Sequence, residues 1–199
     1  EHIFSVEALM RDFIDRLVTE HQRMISELEK NCLEDVRKLA EAIVRTLQNG
    51  GKPIVFGNGG SAADAQHFVC ELVGTFKNKS RKALPAISLT TNSSSLTSIS
   101  NDFSYEDVFT RQVEGLARPE DLCIGISTSG NSQNVLNALS AAKKSGCATG
   151  ALLGAGGGKI GSMADHTVIV PSDNTPVIQE GHIMIIHIIC GIVDDAFSD

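Results

Sequence analysis

The first fifty residues alternate apolar and polar positions with the period of a helix. Apolar side chains recur every three or four residues from about Val6 to Glu29, and again from about Leu33 to Gln48. Asn49-Gly50-Gly51 follows the second stretch, as is typical of a helix end. The pattern predicts two amphipathic helices before the first strand. Because they would have little sheet of their own to cover, we expect them to pack against another copy of the chain.

From Pro53 onward, short apolar runs alternate with helical stretches. The runs are apolar on both faces and predict five buried strands, at Ile54–Phe56, Ala86–Leu89, Leu122–Ser127, Ala148–Leu152 and Thr167–Val170. Helical periodicity predicts helices at about Ser61–Thr75, Asp107–Leu116, Asn131–Ser145 and Thr175–Phe197. The last is apolar nearly all round, which predicts a largely buried helix.

This order of elements predicts an α/β fold with a doubly wound, parallel five-stranded sheet and helices on both faces. We expect a single domain over residues 1–199, with a helical pair at 1–50 and the α/β sandwich at 51–199. Ligands of such folds bind beyond the carboxyl ends of the strands, so the turns that follow the strands are the places to search for chemistry.

Charge and cysteine content narrow the classes of function. The net charge is −7 and no block of basic residues occurs, which argues against nucleic acid or an anionic membrane as the main partner. The basic stretch from Lys77 to Lys82 is interpreted as a solvated loop. Five scattered cysteines without a CxxC motif, and a charged, helical N-terminal stretch unlike a secretory signal, are typical of a cytoplasmic protein. The longest apolar run, Ile183 to Val193, contains His187 and is too short to span a membrane.

A glycine-rich turn, Gly57-Asn58-Gly59-Gly60-Ser61, follows the first predicted strand and opens a helix for which Ser61 can serve as N-cap. Free backbone N–H groups and the helix dipole make such a turn an anion site. The turn lacks the lysine of a Walker loop and the glycine spacing of a dinucleotide fingerprint. A tight connection without a ligand explains the glycines equally well.

A second turn, Ser127-Thr128-Ser129-Gly130-Asn131-Ser132, occupies the same position after the third predicted strand. Its hydroxyl groups and backbone donors at a helix start are a common way to hold a phosphate without Lys or Arg. A serine-rich helix cap is the alternative. We favour phosphate binding, because the turn falls at the same sheet edge as the first.

Two histidines, with polar and acidic residues near them in the sequence or at the same sheet edge, complete the candidate chemistry. His67 and Glu71 lie one helical turn apart, a spacing that on its own favours an ordinary salt bridge. His187, inside an apolar helix, either bonds a backbone carbonyl or faces a site. It converges with Gln179 on one ligand only if both side chains lean together; otherwise the site draws on more than one chain. Asn101-Asp102, after the second strand, is either a site element or a simple loop or cap.

With these motifs in view, nearly the whole chain resembles the phosphoheptose isomerases of the sugar isomerase (SIS) fold. The resemblance implies a cytoplasmic homotetramer with shared active sites. It implies conversion of D-sedoheptulose 7-phosphate to D-glycero-D-manno-heptose 7-phosphate through an enediol, the entry to heptose synthesis for lipopolysaccharide or capsule.

The resemblance also implies roles for residues of this chain. Glu71 and His187 would form the acid–base pair. One zinc ion per subunit would be held by His67, Glu71, Gln179 and His187. The substrate would be bound by Asn58, Gly59, Gly60, Ser61, Glu71, Asn101, Asp102, Ser127, Thr128, Ser129, Ser132 and Gln179. Gly181 departs from the larger apolar residue expected there, which would loosen the final helix near Gln179.

Two other functions stay open at this point. A non-catalytic SIS relative that associates with a replication initiator shares the Gly-Asn-Gly turn, but it lacks the acidic residue at the place of Glu71 and the histidine at the place of His187. A phosphosugar-sensing module would bind the ligand without turning it over. Turnover of sedoheptulose 7-phosphate separates these possibilities.

Overall fold

The computed structural model describes residues 6–198. Its helices are α1 Val6–Asn31, α2 Leu33–Gln48, α3 Gly60–Val73, α4 Ser93–Asp102, α5 Thr110–Leu116, α6 Gln133–Lys144, α7 Gly158–Gly161 and α8 Thr175–Ala196. Its strands are β1 Pro53–Gly57, β2 Ile87–Ser88, β3 Leu122–Ser127, β4 Ala148–Leu153 and β5 His166–Ile169. Short 3-10 turns lie at Tyr105–Asp107 and Ala155–Gly157.

The five strands form one parallel sheet in the order β2-β1-β3-β4-β5, which confirms the predicted fold class. β1 and β3 are neighbours, and Gly57 pairs in register with Ile126. The turns that follow these two strands therefore lie side by side at the carboxyl edge of the sheet.

Alternating side chains of the strands support a separate core on each face of the sheet. Val55 packs in one core with apolar residues of α1, α2, α3 and α8. Its neighbours Ile54 and Phe56 point into the other, with residues of α5, α6 and α7. This alternation follows from the two-residue period of a strand. It places α3 and α8, which carry the predicted acid–base residues, on the same face.

The leading helices depart in one respect from the prediction. α2 is buried against the sheet: Leu39 is fully buried and lies so close to Gly150 that a Cβ there would be 2.8 Å from its Cδ1. The expectation that both helices have little sheet to cover is therefore wrong for α2. α1 behaves differently, since Leu9 and Phe13 in its first half are exposed.

The segment between β2 and β3 contains a helix that the sequence analysis missed. α4 begins after Asn92, whose side-chain oxygen accepts a hydrogen bond from Ser95 N at 3.0 Å. Serine and asparagine favour helix caps and turns, so the sequence of this segment did not predict a helix. The helix predicted at Asp107–Leu116 is shorter, because residues 105–107 form a 3-10 turn before α5 begins at Thr110.

α8 is long and apolar enough to cross a membrane by length and composition, yet half of it is buried within the protein. His182 and Asp194 are buried in it and hydrogen-bonded to other parts of the chain, as in a core helix. Burial is one-sided rather than nearly complete, because Ile188 and Ile192 are exposed. Gly181 does not loosen the helix: a Cβ there would lie 2.9 Å from Val170 Cγ1, so glycine permits close packing.

Candidate active site at the carboxyl edge of the sheet

The first turn is built on glycine. α3 begins at Gly60 with Gly59 as its N-cap residue, and the φ angle of Gly59 is 56°. Ser61 therefore lies in the first turn of the helix, 4% exposed, and the prediction that it is the N-cap is wrong. A positive φ suits glycine because it has no Cβ, and this moves the helix start one residue earlier. The side chain of Asn58 is paired with that of Asn134 on α6.

The second turn holds its serines close together. The hydroxyl oxygens of Ser127 and Ser132 lie 3.0 Å apart, and Ser129 Oγ accepts a bond from the Asn131 N–H at 3.2 Å. Thr128 lies between Ser127 and Ser129 at the end of β3. The hydroxyl groups of Ser127 and Ser132 thus lie together at the N-terminus of α6, where free backbone N–H groups also favour an oxyanion.

A glycine-rich loop after β4 supports the second turn, and the sequence analysis missed it. Gly130 has a φ of 64° and packs so tightly that a Cβ would be 2.1 Å from Gly157 O. The N–H of Lys159 donates to Asn131 Oδ1 at 3.1 Å, and the N–H of Ile160 donates to Gly130 O at 3.0 Å. The run Gly154-Ala155-Gly156-Gly157-Gly158 was the available signal.

Three side chains from α3 and α8 converge on one point. His67 Nε2 lies 3.0 Å from Glu71 Oε1 and 3.4 Å from His187 Nε2. The coordinating atoms of all three residues lie within 4.8 Å of one another. Two imidazole nitrogens and a carboxylate oxygen facing one another are a donor set suited to zinc. The structure thereby brings the predicted acid–base residues together within a single chain.

The ring of His187 is fixed by its neighbours. It stacks on Phe76 with ring centroids 5.5 Å apart, and its edge meets His67 with centroids 5.1 Å apart. These rings pack against the imidazole, and its Nε2 atom faces His67 Nε2.

Gln179 lies near the start of α3. A Cβ on Gly60 would lie 2.2 Å from Gln179 Nε2, so the amide rests against the backbone of the first turn. Gln179 and His67 both line a cavity of about 310 Å³. Gln179 contacts Gly60, and His187 contacts His67. α8 therefore runs in the same direction as α3. The eight-residue step from Gln179 to His187 on α8 lies alongside the seven-residue step from Gly60 to His67 on α3.

Asp64 is a further titratable group at this cavity, and the sequence analysis did not single it out. Burial raises the pKa of its carboxyl group to about 6, although the nearby His67 acts to lower that pKa. Within the described chain its Oδ2 atom is buried without a hydrogen-bond partner. Its position one turn before His67 was the only signal in the sequence.

Asn101 and Asp102 are the last two residues of α4 rather than part of a loop. Both are exposed, and Asn101 Nδ2 donates to Asp102 Oδ1 at 2.8 Å. The 3-10 turn that follows them carries Tyr105, whose hydroxyl donates to Asn58 Oδ1 at 2.9 Å. The segment after the second strand thus reaches the first turn through Tyr105.

The basic stretch after α3 is anchored in the core. Arg81 is buried, and its guanidinium donates to the Asp194 carboxylate of α8 and to the carbonyl oxygens of Glu71 and Leu72. The interpretation of residues 77–82 as a solvated loop is therefore wrong at Arg81. The guanidinium satisfies carbonyls at the end of α3 that have no partner within the helix, which fixes the turn that carries Glu71.

Asp194 is the acceptor for this anchor. Its burial alone would raise the pKa of the carboxyl group, but the N–H groups of Asn78 and Lys77 and the Arg81 guanidinium outweigh it, so that the pKa is lowered. The N–H groups of Lys77 and Asn78 donate to Asp194 Oδ2 at 2.8 and 3.0 Å. The ends of α3 and α8 are thereby held together next to the cluster.

Comparison with known proteins agrees with the fold. A family model described as the SIS domain matches residues 17–154, so the class of protein is that of the SIS domains. A phosphoheptose isomerase of Aliarcobacter butzleri is 49% identical over 191 residues, which cover 96% of this chain and 98% of the relative. A probable phosphoheptose isomerase of Thermoplasma acidophilum is 54% identical over 165 residues, covering 83% of this chain and 90% of the relative.

A solved structure of a phosphoheptose isomerase is also similar to this chain. The phosphoheptose isomerase of Neisseria gonorrhoeae superposes with a TM-score of 0.87 at 42% identity, covering 94% of this chain and 99% of that one. The chain therefore belongs to the phosphoheptose isomerase family of SIS-domain enzymes.

Proposed function

We propose that this chain interconverts D-sedoheptulose 7-phosphate and D-glycero-D-manno-heptose 7-phosphate. The observation that carries the proposal is the convergence of His67 and Glu71, on the helix that starts at the Gly57–Gly60 turn, with His187 of α8. The names of the relatives support the same class of substrate. The residues that follow are assigned from this geometry and from the family.

The phosphate is placed at the second turn. Ser127, Ser129 and Ser132 supply hydroxyl groups there, aided by Thr128, and the N-terminus of α6 supplies backbone donors. Ser61, in the first turn of α3, contributes from the helix that follows the neighbouring strand β1. The sugar then extends over Asn58, Gly59 and Gly60 toward α3, with Asn101, Asp102 and Gln179 as further contacts.

Isomerisation moves one proton between neighbouring carbons. In the ketose-to-aldose direction, the Glu71 carboxylate takes a proton from C1, and the enediol that forms is reprotonated at C2 by the same group. His187 carries the hydroxyl proton between the oxygens on C1 and C2. Glu71 suits this role because its carboxylate is largely shielded from water, with 18% of the side chain exposed.

The donor set also fits a zinc ion. The nitrogens of His67 and His187 and a Glu71 oxygen face one another, and Gln179, at the same cavity as His67, would complete the set. When bound, zinc polarises a carbonyl and stabilises the negative charge of an enediolate.

Assembly and location complete the proposal. The exposed apolar side chains of α1 form a surface of Val6, Leu9, Met10, Phe13 and Ile14, which suits packing against other copies of the chain. This surface supports self-association, and from the resemblance to the family we propose a cytoplasmic homotetramer whose active sites depend on neighbouring subunits. A dilute monomer with full activity would contradict this expectation.

A turnover assay tests the function directly. Purified protein is incubated with sedoheptulose 7-phosphate, with and without added zinc, and the aldose product is followed. We expect product in at least one condition. Binding of the sugar phosphate without product in either condition would instead identify a phosphosugar-sensing module.

A further inference from the structure

Tyr105 belongs to none of the motifs assigned to the site, yet its hydroxyl joins the first turn. It donates to Asn58 Oδ1 at 2.9 Å from a position 47 residues along the chain. Asn134, in the first turn of α6, exchanges two bonds with the same side chain. Asn58 Nδ2 donates to Asn134 Oδ1 at 2.8 Å, and Asn134 Nδ2 donates to Asn58 Oδ1 at 2.9 Å.

These bonds determine what Asn58 can offer a ligand. An amide oxygen accepts two hydrogen bonds, and the oxygen of Asn58 already accepts one from Tyr105 and one from Asn134. An amide nitrogen donates two, and among residues 6–198 only Asn134 Oδ1 accepts one of them. The side chain therefore presents a single N–H donor and no acceptor.

The network is held rigidly on one side and remains open on the other. Asn134 is 3% exposed, so the protein fixes its amide within the fold. Tyr105 is 57% exposed, so its ring borders the solvent side of the first turn. The three residues join the turn after β1, the helix after the serine turn and the segment after Asn101-Asp102, and thereby link three of the segments assigned to the substrate.

We propose that Tyr105 and Asn134 are positioning residues, which hold the Asn58 amide as a one-proton donor toward an acceptor oxygen of the sugar. The inference rests on the proposed function for the contact between Asn58 and the sugar. It predicts that the site recognises a hydroxyl or carbonyl oxygen of a polyhydroxy chain at this place, independently of the phosphate. Loss of either partner frees the amide to rotate and weakens binding of the sugar part only.

Tyr105→Phe is the sharpest test, because it removes one hydroxyl and leaves the ring in place. Loss of one neutral hydrogen bond predicts a rise in KM for sedoheptulose 7-phosphate of about fivefold. We expect kcat to change less than about twofold, since no reacting atom is touched. The Kd for inorganic phosphate, measured by calorimetry, stays unchanged, and so does the melting temperature.

Asn134→Asp provides a second variant. It replaces the Nδ2 donor with an oxygen that repels Asn58 Oδ1, and we expect a larger rise in KM than for Tyr105→Phe. Its matched control is Asn49→Asp, an exposed residue that follows α2, which should leave KM unchanged. An unchanged KM in Tyr105→Phe, or an equal loss of affinity for inorganic phosphate and sugar phosphate, would overturn the inference.

Failure of the proposed function is distinguishable from failure of this inference. If the wild-type protein shows no turnover, the same variants are compared by calorimetry with sedoheptulose 7-phosphate and with inorganic phosphate. A selective loss of sugar phosphate affinity in Tyr105→Phe then supports the positioning role. Equal affinities in wild type and variant overturn it.

Discussion

The side-chain amide of Gln179 rests on Gly60, at a place where a Cβ would lie 2.2 Å from Gln179 Nε2. The first residue of α3 must therefore lack a side chain for α8 to come this close. The contact sets the relative position of the two helices at one end, and the Arg81–Asp194 pair sets it at the other. The cluster of His67, Glu71 and His187 lies between them along α3.

Gly60→Ala is expected to displace Gln179 without unfolding the protein. Alanine favours the helix by up to about 1 kcal/mol over glycine, which offsets part of the crowding. A misplaced group in an active site commonly costs on the order of a hundredfold in rate, so we expect kcat/KM to fall by at least about tenfold. Gly115→Ala, in the open surface of α5, is the control. Full activity of Gly60→Ala would contradict the expectation that this contact positions Gln179 for the reaction.

Glu71→Gln should lose turnover while it retains sugar phosphate binding. An amide cannot accept the C1 proton, and loss of a general base typically lowers the rate by about 10² to 10⁴. The assay is aldose formation, and calorimetry measures binding. Glu114→Gln, an exposed residue of α5, is the matched control. Near-normal activity in Glu71→Gln would rule out Glu71 as the base.

Zinc is expected to stabilise the folded protein. A ligand at a hundred times its Kd adds about 2.7 kcal/mol to the free energy of unfolding, which a thermal melt detects readily. His187→Ala should lose this stabilisation, because it removes one of three converging donors. His166→Ala, on β5, should keep it. Equal zinc stabilisation in His187→Ala and wild type would contradict the assigned site.

Breaking the Arg81–Asp194 ion pair, which anchors α3 to α8, should lower the free energy of unfolding substantially. Removal of one partner of a buried ion pair destabilises a protein by about 3–5 kcal/mol, so we expect a loss of this size in Asp194→Asn by urea denaturation at pH 7. Asp35→Asn breaks an exposed pair with Lys38 and should cost less than about 1 kcal/mol. The folded pKa of Asp194 is lowered, so its contribution is present above the ordinary value of 3.8 and lost as pH falls further. Similar costs in both variants would contradict this account.

His182 should make the protein sensitive to mild acid. Burial lowers the pKa of its imidazole from 6.5 to about 4, while its hydrogen bond with Leu153 O acts in the opposite direction. Between these values the unfolded chain binds the proton more tightly, so stability falls as pH falls from about 6.5 to about 4. From pH 7 to pH 4.5 the histidine accounts for a loss of about 2 kcal/mol.

The variant His182→Gln tests the acid sensitivity. Its free energy of unfolding, measured by urea denaturation, should be lower than that of wild type at pH 7, because a packed ring is lost. The decrease between pH 7 and pH 4.5 should be smaller by about 2 kcal/mol, since glutamine does not titrate. If wild type and variant lose the same stability between these two pH values, His182 is not the group responsible.

The local elements were predictable from the chain. The bounds of α2 match the prediction, and the strands differ only at their ends, because apolar periods of 3.6 and two residues are local signals. The two turns were predictable for the same reason, since glycine and serine runs follow directly after apolar strands. α4 was not, because its serine- and asparagine-rich sequence carries a turn signal that tertiary packing overrides.

Local patterns in the chain were enough to identify the available side chains: Glu71 one turn after His67, His187 in an apolar helix and serines at a helix start. The contact of His187 with His67, 120 residues away, arises from the fold, because both helices cover the same face of the sheet. The fold likewise buries Arg81 and brings Tyr105 to Asn58. Such contacts depend on the order of the strands and on the depth of packing. Neither can be read from the spacing of residues along a single helix or strand.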